Sequence, residues 1–243
     1  MKPYWVSGCG RHQVWHGDAY ELARQFSELS PVLITDPPYE ITASGGGMGA
    51  ERKDLNATEG FTDCGFKYEV LDAFPNWVCF GTLRQVPKMI ERVGTRRWML
   101  VTWNKQNPSP LCNGNYLPDT EYIVHAWSSG MLFGDFKDKA RYIVHPLGDK
   151  EHGEHPNEKP IRVMSKMVRL ASPVNGLVVD LFAGSFSTAI ACVRNGRRFI
   201  GCDNDERWCE VGANRIQQEL AQDDFLRGTS EAQCGKLNQT ALL

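Results

Sequence analysis

The sequence predicts an α/β protein built on a doubly wound, mostly parallel sheet. Two observations carry this. Short, continuously apolar runs such as Val32-Leu33-Ile34 and Leu177-Val178-Val179 recur along the chain. Strands covered on both faces read this way rather than as an in–out alternation. Between the runs lie segments with apolar residues at helical spacing, and alternating strands and helices place helices on both faces of a parallel sheet.

In chain order, Gln13-Val14-Trp15-His16 reads as a short strand ending at Gly17-Asp18. Residues 20–29 form a helix, with Leu22, Ala23, Phe26 and Leu29 on one face. Residues 32–35 are a buried strand. Residues 41–68 turn polar and rich in glycine (Ser44-Gly45-Gly46-Gly47-Met48-Gly49), which predicts a long loop of the kind that is usually functional. Residues 77–93 read as a helix that Pro87 should kink or split. Strands follow at 97–103 and 122–127. Residues 128–153 mix glycine, aromatic and charged residues around a strand at 141–144. Residues 160–170 are an amphipathic helix with Ile161, Met164, Met167, Val168 and Leu170 along one side. A strand at 177–182, a helix at 188–194, a strand at 198–203 and a helix from Glu206 to about Leu220 complete the pattern. The reading is one domain over residues 1–220 and a polar tail over 221–243, with no internal repeat.

A chain of 243 residues can bury a full core. Its net charge of -2 excludes a polybasic, histone-like protein, yet leaves room for local basic patches. Two sets stand out: Arg84, Lys88, Arg92, Arg96, Arg97 and Lys105, and separately Lys137, Lys139 and Arg141. A solvated surface would explain both equally well. The eight cysteines form no C-x-x-C pair, so reduced thiols in a cytoplasmic protein are expected. Cys9, His12 and His16 lack a clear fourth ligand, so no metal site is expected. No apolar run suggests a signal peptide or a membrane span.

Three motifs carry chemistry. Asp36-Pro37-Pro38-Tyr39 stands where the strand at 32–35 ends. A carboxylate can accept a hydrogen bond from an exocyclic amine. The two prolines hold the backbone open and leave carbonyls as acceptors, and an aromatic ring gives a base a face to stack on. A Pro-Pro turn closing a strand accounts for the tetrapeptide equally well. Asp180-Leu181-Phe182-Ala183-Gly184-Ser185-Phe186-Ser187-Thr188 is a strand, a turn of small residues and a helix start, where backbone N–H groups can face a nucleotide-type ligand. Asp203 closes the next strand, at the place where doubly wound folds hold ribose hydroxyls. An ordinary strand-turn-helix with a solvent-facing Asp is the alternative. His155-Pro156-Asn157-Glu158-Lys159-Pro160 precedes the amphipathic helix and by spacing marks only a helix start, with Asn157 as its cap.

Taken in this order, the motifs resemble those of the β-type DNA amino-methyltransferases that use S-adenosylmethionine. Asp36 to Tyr39 matches the family's D/N/S-P-P-Y/F/W motif, and the H-P-x-x-K-P element and the F-x-G-x-G motif follow it in the family's order. Gly17-Asp18-Ala19 is similar to the family's G-D-A turn. The likeness runs from about residue 13 to 216. It departs at Phe186, where the family has glycine, and at Asn157-Glu158 within the H-P-T-Q-K-P pattern.

The resemblance implies a Rossmann-like methyltransferase fold with a small inserted target-recognition region, drawn from residues 41–68 or 128–153. It implies S-adenosylmethionine as cofactor and double-stranded DNA as partner, as a monomer or homodimer in a restriction–modification setting. Asp36, Pro37, Pro38 and Tyr39 would be catalytic, acting on N6 of a flipped adenine. Phe182, Ala183, Gly184 and Ser185 would line the cofactor together with Asp180. Asp203 would hold its ribose, Asp18 and Ala19 would lie near its adenine, and Lys159 near its methionine end. An N4-cytosine enzyme, or a binder of cofactor and DNA weakened in catalysis by Phe186, are the alternatives.

Overall fold

The structure, a computed structural model, describes residues 1–38, 65–108, 116–147 and 158–227, with side chains to Gln222. Its elements are β1 (Trp5–Val6), β2 (His12–His16), α1 (Ala19–Ser27), β3 (Val32–Thr35), a 3-10 turn (Tyr68–Ala73), β4 (Asn76–Gly81), α2 (Val86–Glu91), β5 (Arg97–Asn104), β6 (Thr120–Trp127), β7 (Tyr142–Val144), α3 (Ile161–Ala171), β8 (Leu177–Asp180), α4 (Ser187–Arg194), β9 (Arg198–Asp203) and α5 (Glu206–Arg227).

The strands form one sheet in the order β1-β2-β9-β8-β3-β4-β6-β5-β7. From β2 to β4 all neighbours are parallel, while β6 runs antiparallel to both β4 and β5. Successive residues of the central strands feed opposite cores. Val32, Ile34, Val78, Phe80 and Val178 pack with α3, α4 and α5. Leu33, Trp77, Cys79 and Val179 pack with α1, the 3-10 turn and α2. This is why these strands read as unbroken apolar runs. From β8 the chain crosses to β9, and from β3 it crosses to β4 in the opposite direction along the sheet. The β8–β3 pair is therefore the topological switch point, the place where open α/β sheets bind their ligands.

Several expectations are corrected. The segment 77–93 is not one kinked helix. Asn76–Gly81 is the central strand β4, and only Val86–Glu91 is helical. A short apolar run does not by itself distinguish a buried strand from a buried helix, and Trp77 to Phe80 fill both faces of the sheet. Pro87 sits in the first turn of α2, where no N–H is needed, so it starts a helix rather than breaking one. Leu29 lies beyond α1 and is exposed. The N-cap of α3 is Pro160, without a side-chain cap, and Asn157 lies outside the described residues. α5 continues to Arg227, past the expected start of the tail at 221, because no Gly or Pro lies between 221 and Gly228. The antiparallel edge strand β1 is an addition.

Most of the expected recognition segment 41–68 lies outside the described residues, apart from the start of the 3-10 turn. The segment 128–153 begins where antiparallel β6 ends, at the amino-terminal edge of the parallel strands. From there it follows α3, with the Phe133 N–H donating to the Leu170 carbonyl and Lys166 Nζ to that of Ala140. Only with β7 does it reach the carboxyl-terminal edge.

Candidate active site at the carboxyl edge of the sheet

Asp36, Pro37 and Pro38 follow directly on β3, while Tyr39 lies outside the described residues. The Pro38 carbonyl accepts from Gln85 Nε2 at 3.4 Å. Gln85 is fully buried, and its Oε1 accepts from the N–H and hydroxyl of Thr82. One amide thus ties the loop after β4 to the one after β3.

The Asp36 carboxylate meets Lys159. Lys159 Nζ is 2.5 Å from Asp36 Oδ2 and 3.5 Å from Glu121 Oε2. Lys105 Nζ is 2.9 Å from the other Glu121 oxygen. Burial pulls the Lys159 ammonium down, but Asp36 and Glu121 together outweigh it and hold it above the usual lysine value. Lys159, expected near the methionine end of a cofactor, meets the Asp36 carboxylate.

Asp180 ends β8 beside Asp36. Its Oδ1 accepts from Thr35 Oγ1 and the Phe182 N–H, each at 3.1 Å, and its Oδ2 from Thr188 Oγ1 at 2.5 Å. Burial pushes this carboxyl up to about 7; the three hydrogen bonds oppose the rise, and the Asp36 charge adds to it. The Thr35–Asp180 bond joins the two strands of the switch point one residue before Asp36.

The turn after β8 has Gly184 at φ 49° and Phe186 at φ 61°. The Gly184 N–H donates to Asp203 Oδ2 and the Asp205 N–H to Asp203 Oδ1. Burial raises the Asp203 carboxyl against the lowering effect of these amides. The buried Ser185 hydroxyl is bound to that of Ser187, and the Ser185 carbonyl accepts from the Arg215 guanidinium. Arg215 in turn donates to Glu158 Oε1 at 2.8 Å in a buried pair. The element before α3 and the turn after β8 are therefore fastened to the same residue of α5. Phe182 is half-buried and meets the Tyr20 and Phe66 rings edge to face at 5.9 and 5.6 Å. Asp18 Oδ1 accepts from the N–H groups of Tyr20 and Glu21, so Asp18 is the N-cap of α1, with Ala19 its buried first residue.

The expected residues Asp36, Lys159, Asp180, Phe182, Ala183, Gly184, Ser185 and Asp203 thus gather on one edge of the sheet, at the ends of β3, β8 and β9. Glu121, Gln85, Arg215, Thr35 and Thr188 were not foreseen here, and Lys105 was expected only as part of a basic patch. The Glu158 departure could have signalled Arg215, because a carboxylate buried before a helix needs a cation.

The matching sequence family is described as DNA methylase, of the N6/N4 type, and its model matches residues 32–214. The chain belongs to this DNA methylase family. The match begins at β3, just ahead of Asp36, and ends in α5. The type II methyltransferase M2.LlaDCHI of Lactococcus lactis subsp. cremoris is 24% identical over 239 residues, spanning 84% of this chain and 88% of the relative. M2.MboI of Moraxella bovis is 23% identical over 253 residues, spanning 90% and 92%. Among solved structures, the complex of M1.HpyAVI with SAM superposes with a TM-score of 0.62 at 21% identity, covering 84% of this chain and 99% of that one. The cytosine-N4-specific PvuII DNA methyltransferase reaches 0.64 at 16% identity, covering 95% and 97%. These likenesses show the Rossmann-like fold.

In this DNA methylase part of the first basic set is occupied structurally. Arg92 pairs with Glu69 and Asp72. Arg96 donates to the carbonyls of Asp72, Phe74 and Pro75. Lys105 is held by Glu121. Among the described residues no helix is long and apolar enough to cross a membrane.

Proposed function

We propose that this DNA methylase transfers a methyl group from S-adenosylmethionine to N6 of an adenine flipped out of double-stranded DNA. One observation carries the reading. The hydrogen bond from Thr35 Oγ1 to Asp180 Oδ1 at 3.1 Å locks the amine-binding motif to the cofactor turn at the switch point.

The residues present fit the cofactor. Asp203 ends β9 and retains lone pairs for a ribose diol. The Phe182 ring, with Tyr20 and Phe66 against it, offers a wall for an adenine. The bulky Phe186 does not intrude, because its ring is fully buried against α5. Asp18, Asp36 and Asp203 stand at this edge, and their charge suits a sulfonium cation. Ala183, Gly184 and Ser185 would line the cofactor by their backbone. When bound, S-adenosylmethionine supplies a methyl carbon activated by the sulfonium.

The target amine is buried in the duplex stack, so the base must be extruded. Tyr39 stacks on it, worth about 1–3 kcal/mol. The amine donates to the Asp36 carboxylate and the Pro37 carbonyl, which favours a pyramidal nitrogen with its lone pair aimed at the methyl group. Gln85 fixes the Pro38 carbonyl, and Lys159 fixes Asp36 Oδ2. The residues position and polarise; no covalent nucleophile is needed. Base reading falls to residues 41–68 and to the part of 128–153 that reaches this edge, while exposed basic side chains hold phosphates. An Asp at the first motif position supports adenine. The type II relatives support a restriction–modification setting.

The test is to incubate the protein with labelled S-adenosylmethionine and unmethylated DNA, then digest to nucleosides. Labelled N6-methyldeoxyadenosine is expected. Labelled N4-methyldeoxycytidine would reverse the choice of base, and cofactor binding without any transfer would favour a binder that has lost catalysis.

A further inference from the structure

Glu121 belongs to none of the sequence motifs, yet it shares the ammonium that holds Asp36. Because β6 runs antiparallel, its first residues arrive where the parallel strands end, and Glu121 pairs with Trp103 on β5. The resulting chain of charges alternates: Asp36 to Lys159 at 2.5 Å, Lys159 to Glu121 at 3.5 Å, Glu121 to Lys105 at 2.9 Å. The side chains of Lys159, Glu121 and Asp36 are 8%, 12% and 21% exposed. With so little water to screen them, a change at one end of the chain is felt at the other.

We propose that Glu121 is a positioning residue for methyl transfer. By drawing on the Lys159 ammonium, it keeps Asp36 a strong acceptor for the base amine. The proposal rests on the reading of Asp36 as that acceptor. During transfer the nitrogen lone pair forms the new N–C bond and the sulfur keeps the C–S electron pair. The charged nitrogen then releases an N–H proton to the Asp36 carboxylate and on to water. Both the hydrogen bond and the proton release weaken when a full ammonium bears on Asp36 alone. Among the described residues, Asp180 on β8 and Cys79 on β4 also interact with the Asp36 charge. Neither is a cation, and Glu121 is the carboxylate at 3.5 Å that shares the Lys159 ammonium with Asp36.

The test measures kcat, KM for S-adenosylmethionine and the pH–rate profile of the full chain on DNA that the wild type methylates. Glu121→Gln should lower kcat about tenfold with KM within about twofold, and move the acid limb to lower pH. Lys105→Met leaves Glu121 to compete harder for Lys159 and should move the limb the other way. Glu121→Asp keeps the charge and should restore the wild-type limb, which also covers the case of a poorly folded Gln variant. An unchanged kcat and limb in Glu121→Gln, or a limb moving the same way in both variants, overturns the proposal. A wild type unable to methylate any DNA would overturn the parent reading as well, so the two failures are distinct.

Discussion

The ring of Phe186 lies so close to Gly212 that a Cβ on that glycine would come within 2.3 Å of Phe186 Cδ2. Phe186 stands where the resembled motif has glycine, and its backbone is left-handed at φ 61° and ψ 30°. A non-glycine residue there costs about 1–2 kcal/mol. Full burial of the ring, edge to face with Phe199 at 6.2 Å, offsets that cost. The substitution has thus been absorbed on the α5 side of the turn, and the missing side chain at 212 makes room for it.

Phe186→Gly should therefore cost stability and spare the cofactor. Losing the ring removes about 3–5 kcal/mol, and relief of the left-handed strain returns about 1 kcal/mol of it. A urea melt should show the net loss, with the dissociation constant for S-adenosylmethionine unchanged within about twofold. A tenfold change in that constant would place the ring in the cofactor pocket.

Gly212→Ala should destabilise by about 1–3 kcal/mol through overpacking. In a Phe186→Gly background the same change should cost almost nothing, since residues in contact couple. Additive losses in the double-mutant cycle would contradict the packing described.

Arg215→Met should be among the most damaging changes outside the motifs. It strands Glu158 in the interior and frees the Ser185 carbonyl, at a cost of about 3–5 kcal/mol. Arg215→Met combined with Glu158→Gln should regain most of that stability while cofactor affinity stays reduced, as the Ser185 anchor is still missing. Recovery of both together would assign the pair to folding alone.

Asp180 sets a pH dependence. Its carboxyl is raised from 3.8 to about 7 by burial. An acid raised in the folded state favours folding at low pH, and this contribution is lost as pH rises from about 4 to 7, where the unfolded chain has already ionised. Asp180→Asn should gain on the wild type across that window, by roughly 4 kcal/mol at most. His12 and His125, lowered to about 4 by burial, act oppositely, with stability lost as pH falls below 6.5. They are common to both proteins and cancel in the comparison. A stability difference independent of pH would contradict a buried, raised Asp180.

The fold and the strand-end motifs were legible because a parallel sheet writes its strands as apolar runs and sets its functional residues just after them. Asp36, Asp180 and Asp203 could be placed on one edge by this logic alone. The strand at 76–81 was read as helix because four apolar residues carry no period of their own. Glu121 was invisible for a topological reason. It precedes an apolar run instead of following one, and only the antiparallel direction of β6 brings it to the carboxyl edge of the parallel strands. Lys159 was found, but its contact with Asp36 was not, since which carboxylate an ammonium meets depends on long-range packing. Arg215 looks in sequence like any solvent-facing residue of a long helix.

The central claim is that Asp36 directs methyl transfer beside a separate cofactor turn. It is tested most directly by Asp36→Ala, in which Lys159 keeps Glu121 as a partner and the fold should persist. Label transfer to DNA should fall by about a thousandfold or more, while the dissociation constant for S-adenosylmethionine, measured by calorimetry, stays within about threefold. Near-normal turnover in that variant would contradict the account.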